Sequence, residues 1–62
     1  SDPITVSSMS PLDEVAYEMS KRKIGSVIVN DENNQFLGIF TATDALNALI
    51  EVVRASPEAN AN

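Results

Sequence analysis

The segment GIFTATD at residues 38–44 carries a strand pattern and a helix start within seven residues. Residues 36–42 are apolar and β-prone, with Gly38 as the interruption. Thr41 followed three residues later by Asp44 has the spacing of a capping box, in which the two residues satisfy each other's backbone N–H groups. The segment therefore predicts that a strand ends and a helix begins at residue 41.

The helix that follows has a broad apolar surface and is expected to fade near Arg54, because Ser56-Pro57 disfavours further helix. Its main apolar stripe, which we expect to pack in the core, has i, i+3, i+4, i+7 spacing and consists of Leu46, Leu49, Ile50 and Val53. A flank of smaller residues suits close approach of another chain, so we expect an interface at Ala45, Ala48 and Val52.

Two strands joined by a polar turn precede this helix. Residues 26–30 contain the β-branched run Val27-Ile28-Val29, which predicts a strand covered on both faces. Residues 31–35, with the sequence DENNQ, are turn material. The pattern predicts a hairpin. The turn does not match a calcium-binding loop, since Phe36 stands at the glycine position and Ala42 at the closing glutamate position.

An earlier strand and helix complete the pattern. Residues 4–6 form a short β-prone run, and residues 11–22 have a helical apolar face. We expect Ser10 to cap this helix, Pro11 to take its first position and Gly25 to end it. The order β-α-β-β-α predicts an α+β fold with a three-stranded sheet and two helices on one face. One domain is expected over residues 1–55, with a disordered polar tail over 56–62.

Composition restricts the function. Nine acidic residues against four basic ones give a net charge of −5, and the 62 residues include no Cys and no His. The charge argues against nucleic-acid binding and direct membrane contact. Without Cys or His, neither a metal site nor a nucleophile–base pair is expected, so an enzyme is not predicted. With no signal peptide or membrane span in the sequence, we expect a cytoplasmic location.

The pattern resembles a CBS (cystathionine-β-synthase) domain over residues 2–54. The resemblance rests on several segments in order: the opening DPITV at 2–6, Ala16 and Met19 on the first helix, KIGSVIV at 23–29, and the Gly, two apolar residues, Thr, two variable residues and Asp of 38–44. It implies a regulatory module that occurs in pairs, here with a second CBS motif or as a homodimer. It also implies that an adenosine-containing effector such as AMP, ATP or S-adenosylmethionine binds between the paired motifs.

The resemblance places candidate ligand-binding residues at positions that match the family motifs. The hydroxyl of Thr41 would approach a phosphate and the carboxylate of Asp44 would accept from ribose. The other candidates would line the cleft or the adenine pocket, and they are Thr5, Ser26, Val27 and Ile28. The sequence departs from the family where Ile28 replaces a frequent Pro. It departs again where Thr43 replaces a frequent basic residue, and this second departure, with the net charge of −5, weakens the case for a polyphosphate ligand.

Two functions therefore remain open. In the first, the chain is a regulatory module that pairs and senses an adenosine-containing ligand for an attached or associated protein. In the second, it is a structural dimerisation module without a small ligand, and Thr41 and Asp44 only cap a helix. A domain below about 70–80 residues has a small core, so both functions predict a partner surface.

Overall fold

The computed structural model describes residues 4–56 as a three-stranded sheet and two helices. In chain order the elements are β1 (Thr5–Ser7), α1 (Leu12–Arg22), β2 (Ser26–Asn30), β3 (Phe36–Thr41) and α2 (Ala42–Ala55). The central strand is β2, which pairs parallel with β1 and antiparallel with β3. The predicted α+β fold and its β-α-β-β-α order are confirmed. The tail predicted beyond Ser56 lies outside the described residues.

The core lies between α1 and one face of the sheet. Its three buried residues are Val15 and Met19 of α1 and Val27 of β2, which are 8%, 4% and 2% exposed. Four partly buried side chains pack around them: Ile4, Val6, Ile24 and Phe40. Side chains alternate between the two faces of a strand, and Val27 pairs with Phe40, so the helix-covered face contains both.

The opposite face of the sheet is not covered by any described element. Thr5 pairs with Ile28, Ile28 pairs with Ile39, and Ser26 pairs with Thr41. Alternation puts these five residues on the face away from α1, and we call them the open face. Ile28 is half-buried and Ile39 is 53% exposed. The prediction that β2 is covered on both faces is therefore wrong within residues 4–56.

The position of α2 differs from the sequence prediction. This helix contacts β3 and α1, but none of its residues is buried. The stripe expected in the core is 61%, 57%, 44% and 40% exposed at Leu46, Leu49, Ile50 and Val53. The physical reason is that α2 turns its small side chains Ala45 and Ala48, both half-buried, toward the domain.

The start of α1 also differs from the prediction by one residue. Pro11, with φ −59° and ψ 135°, occupies the capping position and the helix begins at Leu12. Ser10 does not cap the helix, because its Oγ accepts the Ser7 N–H at 3.1 Å and its own N–H donates to the Ser7 carbonyl at 2.9 Å. These two bonds close the turn between β1 and α1.

The residue that terminates α1, directly after Arg22, is Lys23 and not Gly25. Lys23 has φ 56° and ψ 43°, the left-handed conformation that usually favours glycine. The Lys23 and Ile24 N–H groups donate to Ser20 and Met19 carbonyls at 3.2 and 3.0 Å. This Schellman arrangement is accompanied by packing of Ile24 against the core that contains Met19. Gly25 has no positive φ, so the predicted role of Gly25 is wrong.

The predicted hairpin is confirmed, and Asp31 organises its turn. The Oδ1 atom of Asp31 accepts the N–H groups of Asn33 and Gln35 at 2.8 and 2.9 Å. Asn34 adopts φ 63°, which the turn requires and Asn tolerates. The carboxylate of Asp31 therefore stabilises the turn by accepting hydrogen bonds from the backbone of its own loop.

We predict that Met19→Ala unfolds the domain or lowers its free energy of unfolding by about 2–5 kcal/mol, the usual cost of truncating a buried Met. Met9→Ala is the matched control, because Met9 is 70% exposed and should change stability by less than about 0.5 kcal/mol. Urea denaturation followed by circular dichroism measures both. Equal effects of the two substitutions would contradict the assigned core.

Candidate functional site

The fold brings together most of the predicted ligand residues on the open face. Thr5, Ile28 and Ile39 form one row across the three strands, and Ser26 lies beside Thr41 in the next row of this face. Adjacent strands are about 4.8 Å apart, so the first row extends roughly 10 Å. The surface combines three hydroxyl groups with two apolar side chains.

Asp44 lies at the edge of this surface because of the capping box. Its Oδ2 accepts the Thr41 N–H at 2.8 Å, and its own N–H donates to Thr41 Oγ1 at 3.1 Å. Thr41 has φ −109° and ψ 166°, so β3 remains extended up to the residue where α2 begins. The predicted capping box is therefore present, and it fixes the carboxylate beside the end of β3.

The electrostatics of Asp44 favour its ionised form. The backbone N–H of Thr41 lowers the pKa of this carboxyl most, the Thr41 side chain lowers it further, and desolvation opposes both. Asp44 is exposed, so its carboxylate remains open to solvent and to hydroxyl donors. An ionised carboxylate accepts several hydrogen bonds, as ribose recognition would require.

Val27 differs from the other predicted ligand residues. Its side chain is 2% exposed and belongs to the core, so it lies on the face opposite the other candidates. Its backbone belongs to the central strand and pairs with Phe40 of β3. Ser26 is exposed and Ile28 is half-buried, so these two neighbours do present side chains on the open face.

Ile39 is the residue of the open face that sequence reasoning missed. It pairs with Ile28 and, at 53% exposed, extends the apolar part of the surface. The hairpin pattern alone did not give this pair, because a turn over residues 31–35 would align Ile28 with Gly38, and the register shift between Val29 and Asn30 brings Ile28 opposite Ile39 instead. Leu37 nearby is 56% exposed, but the register shift between Val29 and Asn30 interrupts the alternation there.

The predicted interface on α2 is only partly exposed. Ala45 and Ala48 are half-buried and Val52 is 62% exposed. Ala45 lines an apolar groove of about 520 Å³ between α1 and α2, together with Ala16, Met19, Leu46 and Leu49, among others. Leu46 and Leu49, two of the larger exposed apolar side chains of α2, therefore line this groove and do not belong to the buried core.

The basic residues at the end of α1 have local partners. Arg22 Nε bonds to Glu18 Oε1 at 3.0 Å, and Lys21 Nζ lies 6.0 Å from the ring centre of Tyr17. Lys23 lines the groove between the helices. Within residues 4–56 there is no cluster of three or more acidic side chains suited to a metal ion. No helix in the same range is long and apolar enough to cross a membrane.

These features define a small α+β module. One face of its sheet is covered by α1, the other face is exposed, and a capped strand-to-helix junction lies at the edge of the sheet. A family model described as "CBS domain" matches residues 1–51. A CBS domain-containing protein of Dictyostelium discoideum is 32% identical over 56 residues, which cover 90% of this chain and 39% of that protein. The chain belongs to the CBS domain family.

Solved structures show the same architecture. The CBS domain of a protein assigned as a transporter in Clostridium difficile 630 is 27% identical with a TM-score of 0.73, over 82% of this chain and 39% of that chain. A CBS-domain pair with bound AMP from Klebsiella pneumoniae is 22% identical with a TM-score of 0.68, over 79% of this chain and 39% of that chain. This chain spans about two fifths of the length of these relatives.

We predict that the capping carboxylate makes stability depend on acid pH. Because the folded-state pKa of Asp44 lies below its ordinary value of 3.8, its contribution is present above pH 3.8 and is lost as pH falls through the folded-state pKa. Asp44→Asn removes this contribution. Urea midpoints of both proteins should differ most above pH 4 and converge toward pH 2. A difference that is constant over that range would contradict the capping electrostatics.

Proposed function

We propose that this CBS domain is a regulatory module that pairs through its open face and binds an adenosine-containing ligand between the paired motifs. One observation carries the proposal: Thr5, Ser26, Ile28 and Thr41, which come from three different strands, share that face. The ionised Asp44 lies at its edge. The regulated protein would be attached to the module or associated with it.

The open face is suited to pairing because it is uncovered and includes an apolar patch. A sheet normally buries one face against the core, and an exposed apolar patch on the other marks an interaction surface. Ile28 and Ile39 provide such a patch, and a ligand lying on it would be shielded on one side only. A second CBS motif, or a second copy of this chain, would shield the other side and complete the site.

The residues of the face match the parts of a nucleoside. The apolar side chains Ile28 and Ile39 suit the plane of a base, and the carboxylate of Asp44 suits the two ribose hydroxyls. The hydroxyls of Thr5, Ser26 and Thr41 supply further polar partners. The AMP-bound CBS pair of Klebsiella pneumoniae has the same fold, and this supports an adenosine-type ligand for the present chain.

A purely structural pairing module is the alternative. It is favoured by the observation that Thr41 and Asp44 form both bonds of a capping box, which stabilises the helix start without a ligand. In that case the open face would be covered by a partner without a ligand. Both functions require pairing, and only the first requires nucleoside binding.

We also propose a second contact through α2 in a homodimer of this chain. The sequence placed this interface at Ala45, Ala48 and Val52, and that prediction stays untested. The exposed stripe formed by Leu46, Leu49, Ile50 and Val53 now carries most of the apolar surface of the helix. Burial of such side chains contributes about 25 cal/mol per Å² of apolar area, so the stripe would dominate the contact.

We predict that Asp44→Asn weakens adenosine binding about tenfold, because a hydrogen bond to a charged acceptor is replaced by one to a neutral amide. Isothermal titration measures the affinity, and the thermal shift at saturating adenosine checks it. Gln35→Glu is a control that changes charge in the hairpin turn, away from the open face, and should leave the affinity unchanged. If Asp44→Asn binds as well as the wild type, Asp44 is a cap alone. If no nucleoside binds the wild type, the function is structural pairing without a ligand.

We predict different outcomes for a charge on each apolar surface. Ile39→Glu should abolish pairing through the open face and adenosine binding together, since it places a carboxylate in a desolvated contact. Leu49→Glu, on α2, should reduce self-association while leaving adenosine binding intact. Ala48→Glu should have a smaller effect than Leu49→Glu, because Ala48 is turned toward its own domain. Sedimentation equilibrium with and without adenosine measures both properties. The proposed α2 contact also joins two chains, so the decisive comparison is made in the Leu49→Glu background. Pairing of Leu49→Glu that survives the addition of Ile39→Glu would exclude the open face as the pairing surface.

A further inference from the structure

We infer that the open-face site is specific for adenosine derivatives with a neutral or cationic 5′ group and discriminates against polyphosphates. The inference rests on the proposed function and concerns the ligand class of the same site. It follows from the hydrogen bonds at the start of α2 and from the distribution of charge around it.

The backbone donors at the start of α2 are already occupied. A free helix N-terminus binds phosphate because its first N–H groups lack partners. Here the Thr41 N–H donates to Asp44 Oδ2, and the Asp44 N–H donates to Thr41 Oγ1. The Ala42 N–H donates to the Gly25 carbonyl at 2.9 Å. Among residues 41–44, the Thr43 amide alone remains for an anion.

The charge at this position is also unfavourable for phosphate. The carboxylate of Asp44 occupies the positive end of the α2 dipole and satisfies it. Its pKa is lowered by the Thr41 N–H, so it remains charged at neutral pH. A phosphate placed beside the Thr43 amide would lie close to this carboxylate and be repelled by it.

The basic residues of the chain do not offset this repulsion on the open face. Lys21 and Arg22 interact with side chains of α1 itself. Arg54 lies in the last turn of α2, ten residues beyond Asp44, which corresponds to about 15 Å of helix. Lys23 lines the groove between the two helices together with Ala42, on the helix side of the sheet. The chain as a whole has a net charge of −5.

The same features suit a different 5′ group. Ribose hydroxyls donate to the Asp44 carboxylate without adding charge, and a 5′ cation such as a sulfonium is attracted by it. Adenosine and S-adenosylmethionine therefore fit the charge of the site, AMP fits less well, and ATP fits worst. Each added phosphate charge increases the repulsion.

The test is isothermal titration of the full chain with adenosine, S-adenosylmethionine, AMP and ATP at about 0.15 M salt, where exposed charges act over roughly 8 Å. We expect adenosine and S-adenosylmethionine to bind at least tenfold more tightly than ATP. Thr43→Lys should raise ATP affinity about tenfold and leave adenosine affinity unchanged. Gln35→Lys adds the same charge in the hairpin turn and should not raise ATP affinity. Melting curves without ligand check that both variants are folded.

Three results would overturn the inference, and they are distinguishable. Wild-type binding of ATP as tight as that of adenosine would overturn the selectivity while supporting the proposed function. Equal gains in ATP affinity from Thr43→Lys and Gln35→Lys would show that net charge, rather than the start of α2, controls binding. Failure of all four compounds to bind would overturn both the inference and the ligand-binding part of the proposed function.

Discussion

The packing of α1 on one face of the sheet is the interaction on which the rest of the structure depends. It buries Val15, Met19 and Val27, which are the three buried residues of the described range. Domains of this size have a low free energy of unfolding, since a single small core supplies only about 3–5 kcal/mol. Covering one face leaves the open face and α2 with apolar side chains in solvent. Both surfaces therefore follow from the small core, and both are suited to a partner.

The candidate site is a consequence of the same architecture. Because β3 passes directly into α2, one pair of residues both ends the strand and starts the helix. The Thr41–Asp44 capping box stabilises that junction and at the same time fixes a carboxylate beside the open face. In the proposed function, Asp44 thus combines its structural role with ligand binding. This combination is also the reason for the proposed preference against phosphate, because the capping bonds occupy the donors that a phosphate would need.

Local signals in the sequence predicted the local structure well, and they failed where tertiary contacts decide. The capping box, the hairpin and the element order depend on neighbouring residues, and all three are confirmed. The spacing of Leu46, Leu49, Ile50 and Val53 correctly indicated a helix but not the side of α2 that faces the domain. Periodicity identifies the apolar face of a helix but not the surface against which that face packs.

Likewise, the run at Val27–Val29 correctly indicated a strand, but no element within residues 4–56 covers the second face of that strand. Ser10 and Gly25 had the right residue types for caps, but Ser10 bonds within the preceding turn, so Pro11 takes the N-terminal capping position, and the left-handed Lys23 takes the C-terminal one.

The central claim is that the domain is completed by a partner, and the dependence of stability on concentration tests it most directly. Anything that binds the folded chain and not the unfolded chain stabilises it by mass action. The account predicts that the urea midpoint of the wild-type chain rises as its concentration is raised 100-fold from the low micromolar range. A midpoint that stays constant over that range, with one cooperative transition and a monomeric mass throughout, would contradict it.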